Sequence, residues 1–176
     1  MIFGKGMAPV GLGRCLSLMR KVRTLALSSL FIASTVLLTT WPTVPLFQGY
    51  LNFGDVLVLS MGYVLGFPLA LLGGVGAALA DLLLGYGQYA FFTLIIKGLE
   101  ALIIAVFAAK SSRFNLGVYL LAGTWMAIGY GLTDVLLTQN IAMFVPSFGY
   151  NILQGLICAS LAYVLRPLLT RLKQSL

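Results

Sequence analysis

The chain has 176 residues, is 60% hydrophobic and only 9% charged, and has a mean hydropathy of +1.03, so it holds too little polar surface to coat a soluble globule and reads as a single membrane domain over 1–176. Its net charge of +7 comes with no histidine, which removes Ser-His catalysis, most zinc sites and haem ligation by histidine. No Gly-Lys-Ser/Thr phosphate loop occurs, so the chain does not hydrolyse ATP in that way by itself.

In chain order, 1–23 is a basic segment with Lys5, Arg14, Arg20, Lys21 and Arg23. The apolar run behind it resembles a signal peptide in its flank but has no small-x-small cleavage site before Trp41-Pro42, which predicts a retained span. A spanning helix needs roughly 20 apolar residues. Prolines and charges divide 24–168 into six segments near that size, namely Thr24 to Thr40, Phe53 to Gly66, Pro68 to Tyr86, Gln88 to Ala109, Leu116 to Thr138 and Phe148 to Leu165. Pro42, Pro45, Pro68, Pro146 and Pro167 are placed at segment ends, and Gly66-Phe67-Pro68 reads as a turn that keeps the second and third segments apart. The expected fold is all-α with six transmembrane helices, followed by a cytoplasmic tail over 169–176.

Lysine and arginine in short loops mark the cytoplasmic side. Six spans place the N-terminal cluster, the Lys110 and Arg113 loop, and Arg166, Arg171 and Lys173 all in the cytoplasm, with both termini inside; a five-helix alternative exports one cluster. The positive charge therefore reads as topology, aided by anionic lipid, and calls for no nucleic acid. Cys15 and Cys158 suggest neither a disulfide nor a thiolate metal site, and no metal or cofactor is expected.

The acids behave differently from the bases. Asp55, Asp81, Glu100 and Asp134 lie within or at the edge of apolar segments, where an ionisable group costs roughly 2.5–3.5 kcal/mol on insertion scales. Residues three or four apart share a helix face. Tyr89, Thr93, Lys97 and Glu100 form one such stripe, Tyr130, Asp134 and Thr138 a second, and Ser147, Asn151, Gln154 and Cys158 a third. Lys97 is the one basic residue away from the cytoplasmic ends, roughly 13 Å below the outer end of its helix. These stripes predict a pocket open to the outside and lined by Tyr89, Thr93, Lys97, Glu100, Tyr130, Asp134, Asn151 and Gln154, with Asp55 and Asp81 as structural or site-edge acids. Lys97 and Glu100 could instead serve only to neutralise each other, or Asp81 and Asp134, and Asn151 with Gln154 could be interhelical glue.

Aromatic residues gather at the same outer ends. Trp41, Phe47, Tyr50, Tyr86, Tyr89, Phe144, Phe148 and Tyr150 fit an interfacial belt. The loop from Trp41 to Asn52 is also long enough to fold over the pocket, with Trp41, Phe47, Tyr50 and Asn52 as its lid residues. Gly73, Gly74, Gly76, Ala77, Ala78 and Ala80 predict close backbone approach by the third helix, and Ser29 with Ala33 forms a small-x-x-x-small face on the first. An aspartyl intramembrane protease is disfavoured because Asn52 precedes Phe53-Gly54-Asp55 where such enzymes have a glycine, and no Tyr-Asp pair occurs.

Residues 52–103, with Gly54-Asp55, the glycine-rich run into Ala80-Asp81-Leu82-Leu83, Gly85-Tyr86 and the stretch Thr93 to Glu100, together with Asn151-x-x-Gln154-Gly155, resemble the substrate-binding (S) components of energy-coupling factor (ECF) vitamin transporters, particularly their hydroxymethylpyrimidine and pyridoxine-like branch. The resemblance implies a non-catalytic, multi-pass subunit in a prokaryotic plasma membrane. It would capture a small vitamin from outside and topple in the bilayer on a membrane coupling (T) protein driven by two cytoplasmic ABC-type ATPases. In that family an Ala-x-x-x-Ala face on the first helix docks the T protein, so the resemblance assigns this role to Ser29 and Ala33, with serine in place of the first alanine. An autonomous proton-coupled carrier or channel is the alternative suggested by the intramembrane acids, and a scaffold without a ligand is a third class.

Overall fold

Backbone N–H and C=O groups inside a bilayer have no water to bond, so apolar segments satisfy them internally as helices. The computed structural model describes residues 10–45, 50–110, 115–174 and 176. Helix α1 (Val10–Thr40) leads into a short antiparallel pair, β1 (Val44–Pro45) and β2 (Tyr50–Leu51), in which Val44 faces Leu51 and Pro45 faces Tyr50. Next come α2 (Gly54–Leu65), a 3-10 turn at Leu69–Leu71 continuing into α3 (Leu72–Leu83), α4 (Gly87–Lys110) and α5 (Leu116–Thr138). A second 3-10 turn at Ile141–Met143 opens onto α6 (Phe144–Gln174).

Four stretches are long and apolar enough to cross a membrane, Gly13–Thr40, Gly87–Ala109, Leu116–Thr138 and Ile141–Gln174. The second and third expected spans are shorter than the others, Gly54–Leu65 and Leu69–Leu83. At 1.5 Å per residue α2 is only about 18 Å long, against about 30 Å of hydrocarbon. They are separated where the sequence signals it: Gly66 ends α2 at φ +66°, a left-handed conformation that glycine adopts without a Cβ penalty.

Both terminal helices outrun their expected limits. Helix α1 begins in the basic segment at Val10 rather than at Thr24, because arginine and lysine are good helix formers and their charge marks a membrane boundary, not a helix end. Helix α6 continues through Pro167 to Gln174, so 169–174 is helix rather than a loose tail and this proline does lie inside a helix. Proline there removes one backbone hydrogen bond. Packing holds the continuation: Leu169 is buried, the Thr170 and Tyr63 hydroxyls are 2.9 Å apart, and the Lys173 ammonium sits 4.8 Å from the Tyr63 ring centroid.

Glycines set the distances between helices. A Cβ on Gly74 would stand 2.1 Å from the Leu94 carbonyl oxygen, so α3 can lie against α4 only with glycine there. Gly123 and Gly155 meet backbone to backbone, bringing α5 and α6 into the most extensive contact of the bundle. The apolar core, with Leu59, Met61, Ile104, Tyr119, Ala122, Ala159 and Ala162, fills the half towards which α2, α4 and α6 run.

Candidate functional site

The other half of the bundle holds a cleft. Its lining comes from the last turn of α1 (Thr39), the hairpin (Tyr50) and Asn52 behind it, the start of α2 (Asp55), the end of α3 (Ala77, Asp81), and Tyr86. Helix α4 adds Tyr89, Thr93 and Lys97, α5 adds Tyr130 and Asp134, and α6 adds Asn151 and Gln154. Alternation of helix direction explains the convergence: α1, α3 and α5 end where α2, α4 and α6 begin.

Lys97 is buried on the cleft floor and forms an ion pair with Asp55 Oδ1. Its ammonium also forms an ion pair with Glu100 Oε2 at 3.1 Å. The same ammonium lies 5.4 Å from the centre of the Tyr130 ring. Charges withdrawn from water persist when each is paired and hydrogen-bonded. Gln154 supplies the second bond, its Nε2 donating to Asp55 Oδ2 at 2.7 Å while its Oε1 accepts from the Asn52 N–H at 3.0 Å. These partners orient the amide unambiguously. Asn52 Oδ1 then accepts from the Gly54 N–H at 2.8 Å, closing the turn that starts α2. Position 54 must be glycine, because a Cβ there would meet Thr39 Oγ1 at 2.0 Å.

The walls pair tyrosines with carboxylates. Tyr50 donates to Asp81 Oδ1 at 2.5 Å and Tyr89 donates to Asp134 Oδ1 at 2.5 Å. Burial, and then the neighbouring Asp81 carboxylate, push the Tyr50 phenol well above its ordinary value, so it remains a protonated donor. The Thr93 and Tyr130 hydroxyls are 3.0 Å apart. Tyr86 stands between the two capping rings, 5.1 Å from Tyr50 and 6.3 Å from Tyr89 between centroids, so three tyrosines form one aromatic wall. Asn151 donates to the Ser147 carbonyl at 2.9 Å within its own helix.

Seven of the eight pocket residues read from the helix stripes therefore line one cleft. Glu100 is the exception: fully buried, it stands behind Lys97 and supports the floor. Asp55, expected at the edge, is the principal partner of Lys97, while Asp81 and Asp134 are held by tyrosines and not by the lysine. Of the lid residues, Tyr50 and Asn52 reach the cleft, Trp41 is exposed and apart from it, and Phe47 lies outside the described residues. Tyr86 and Thr39 complete the lining without having been singled out as ligand contacts. Tyr86 was legible in principle, standing three residues before Tyr89 and five after Asp81. Among the described residues no group of three or more acids, cysteines or histidines is placed to hold a metal ion.

Ser29 and Ala33 are exposed, since α1 turns Ser28, Phe31, Thr35 and Thr39 inward. Their small-residue face is thus not used for packing inside the bundle.

Residues 19–171 match the family model described as "ECF-type riboflavin transporter, S component". A thiamine precursor transporter, HmpT, of Lactococcus lactis subsp. cremoris (strain MG1363) is 27% identical over 156 residues, covering 86% of this chain and 90% of the relative. An uncharacterized protein of Pyrococcus woesei is 40% identical over 104 residues, 56% of this chain and 68% of the relative. With apolar helices long enough to cross a bilayer and a family match over most of its length, the chain is a multi-pass membrane protein that belongs to the S-component family of ECF-type transporters.

Proposed function

We propose that this protein captures a small heteroaromatic vitamin precursor, of the hydroxymethylpyrimidine or pyridoxine kind, for an ATP-driven importer in a prokaryotic plasma membrane. The observation that carries the reading is the cleft itself: three tyrosines on one wall, amide and carboxylate groups on the others, and a buried ammonium on the floor. Convergence of fixed polar groups beside aromatic rings in one concave cleft is how orientation and specificity are built into a small-ligand site.

In this reading six helices place both termini in the cytoplasm and the cleft on the outer side. Basic residues at the start of α1 and the end of α6 support it, because those ends lie opposite the cleft. The exposed Ser29 and Ala33 face supports docking onto a membrane coupling protein that joins two ABC-type ATPases. Delivery then proceeds by reorientation of the loaded subunit on that partner.

Mass spectrometry of small molecules released on denaturing the detergent-purified protein, against an empty-vector control, tests the reading. A stoichiometric vitamin or precursor is expected; no released ligand, together with no thermal shift across a vitamin panel, would overturn it. The buried acids Asp55, Asp81, Glu100 and Asp134 favour a second reading as a proton-coupled carrier. That reading requires uptake into proteoliposomes under a proton gradient without any ATPase partner.

A further inference from the structure

The charge inside the cleft is unbalanced. Its lining carries the carboxylates of Asp55, Asp81 and Asp134 against the single ammonium of Lys97. Asp55 is held at both oxygens, by Lys97 and by Gln154. Asp81 is not: Oδ1 accepts from Tyr50, whereas Oδ2 is buried and accepts no hydrogen bond, in a residue only 4% exposed. The Thr93 hydroxyl lies 3.0 Å from that of Tyr130 and makes no hydrogen bond to this oxygen. Buried polar atoms are nearly always satisfied, because an acceptor removed from water without a donor is destabilising. An acceptor of this kind on a residue lining a ligand cleft is accounted for if the donor arrives with the ligand.

The geometry points to Asp81 as a specificity-determining residue, whose Oδ2 accepts a hydrogen bond from an N–H or O–H of the ligand while the surplus of carboxylates around it excludes ligands bearing phosphate or carboxylate. The assignment rests on the capture reading above and narrows it. The ligand is a neutral or cationic single-ring heteroaromatic with an amino or hydroxyl donor attached directly to the ring, seated against Tyr50, Tyr86 and Tyr89. Charge-assisted bonds to a carboxylate are the stronger kind, and repulsion of an anion is enlarged where water is scarce.

Equilibrium binding to the detergent-purified full chain tests this with two matched sets. One is hydroxymethylpyrimidine, its analogue with methyl in place of the ring amino group, and its phosphate ester; the other is pyridoxine, its analogue lacking the ring hydroxyl, and its phosphate. In the set that binds, the analogue without the donor should bind about ten- to hundredfold more weakly, and the phosphate should not bind measurably. Asp81→Asn should weaken the parent by a similar factor and erase its advantage over the analogue. Should that variant fail to fold, the parent and analogue on the unaltered protein decide the matter. Parent and analogue binding within twofold of each other, a phosphate binding as tightly as its parent, or an anionic molecule released from the purified protein would each overturn the role of Asp81 and leave ligand capture standing. If neither set binds and no small molecule is released, both readings fall together.

Discussion

Where α2, α4 and α6 end, Leu59, Met61, Ile104, Tyr119 and Ala162 fill the bundle with apolar side chains; where the same helices begin, they bring Asp55, Lys97 and Gln154 together out of water. Away from its glycine contacts the apolar half tolerates apolar residues of similar volume, since dispersion contacts are non-directional. In the cleft half, each group depends on a partner from another helix: Lys97 on α4 needs Asp55 on α2, which needs Gln154 on α6. The apolar half is therefore held by many small, interchangeable contacts, and the cleft half by a few directional ones that are costly unless every member is present.

Substitutions in the two halves should separate these roles. Lys97→Met leaves Asp55 and Glu100 buried without their cation, and breaking such a pair costs about 3–5 kcal/mol. Thermal unfolding in detergent should show the largest loss for this variant, with ligand binding abolished. A loss no greater than that of an apolar truncation would mean that the ion pair is not a keystone of the cleft.

Ile104→Ala makes a cavity in the apolar half. Its cost should be about 2 kcal/mol, near the lower end for such truncations because the unfolded chain in a membrane keeps its apolar side chains in hydrocarbon. Ligand affinity measured well below the melting temperature should remain within about twofold of the parent. A large selective loss of affinity would show that the two halves are coupled.

Gln154→Ala orphans both the Asn52 N–H and Asp55 Oδ2, for about 1–3 kcal/mol. Here binding calorimetry should show weakened affinity together with reduced stability, because the residue serves floor and hairpin at once. Unchanged affinity would assign Gln154 to interhelical support alone.

Ala33→Leu, on the outward face of α1, should alter stability by no more than about 0.5 kcal/mol and leave ligand binding intact. In the proposed assembly it should nevertheless reduce co-purification with the coupling partner and ATP-driven uptake. Normal assembly would remove this face from the docking surface.

Much of this molecule was visible before any coordinates. The stripes Tyr89, Thr93, Lys97 and Tyr130, Asp134 follow from helical periodicity alone, so their placement on one face of each helix required no knowledge of neighbouring helices. The break at Gly66 and the tight seat of Gly74 were likewise announced by residue type. The partner of Lys97 was another matter. Glu100 stood three residues away and was the natural candidate, yet Asp55, 42 positions earlier, is the closer partner.

The sequence by itself determined a membrane environment, six helical segments, the end at which polar groups collect and the residues that face one another's helices, because hydropathy, charge and period are local properties. Only the tertiary structure decided that Tyr50 caps Asp81, that Glu100 stands behind the floor and that α6 continues past Pro167. Those outcomes depend on the depth and rotation at which helices meet, which are set by glycine contacts such as Gly74 with Leu94 and Gly123 with Gly155. A shift of one residue along a helix moves a side chain by about 1.5 Å and turns it by about 100°, enough to exchange one ion-pair partner for another.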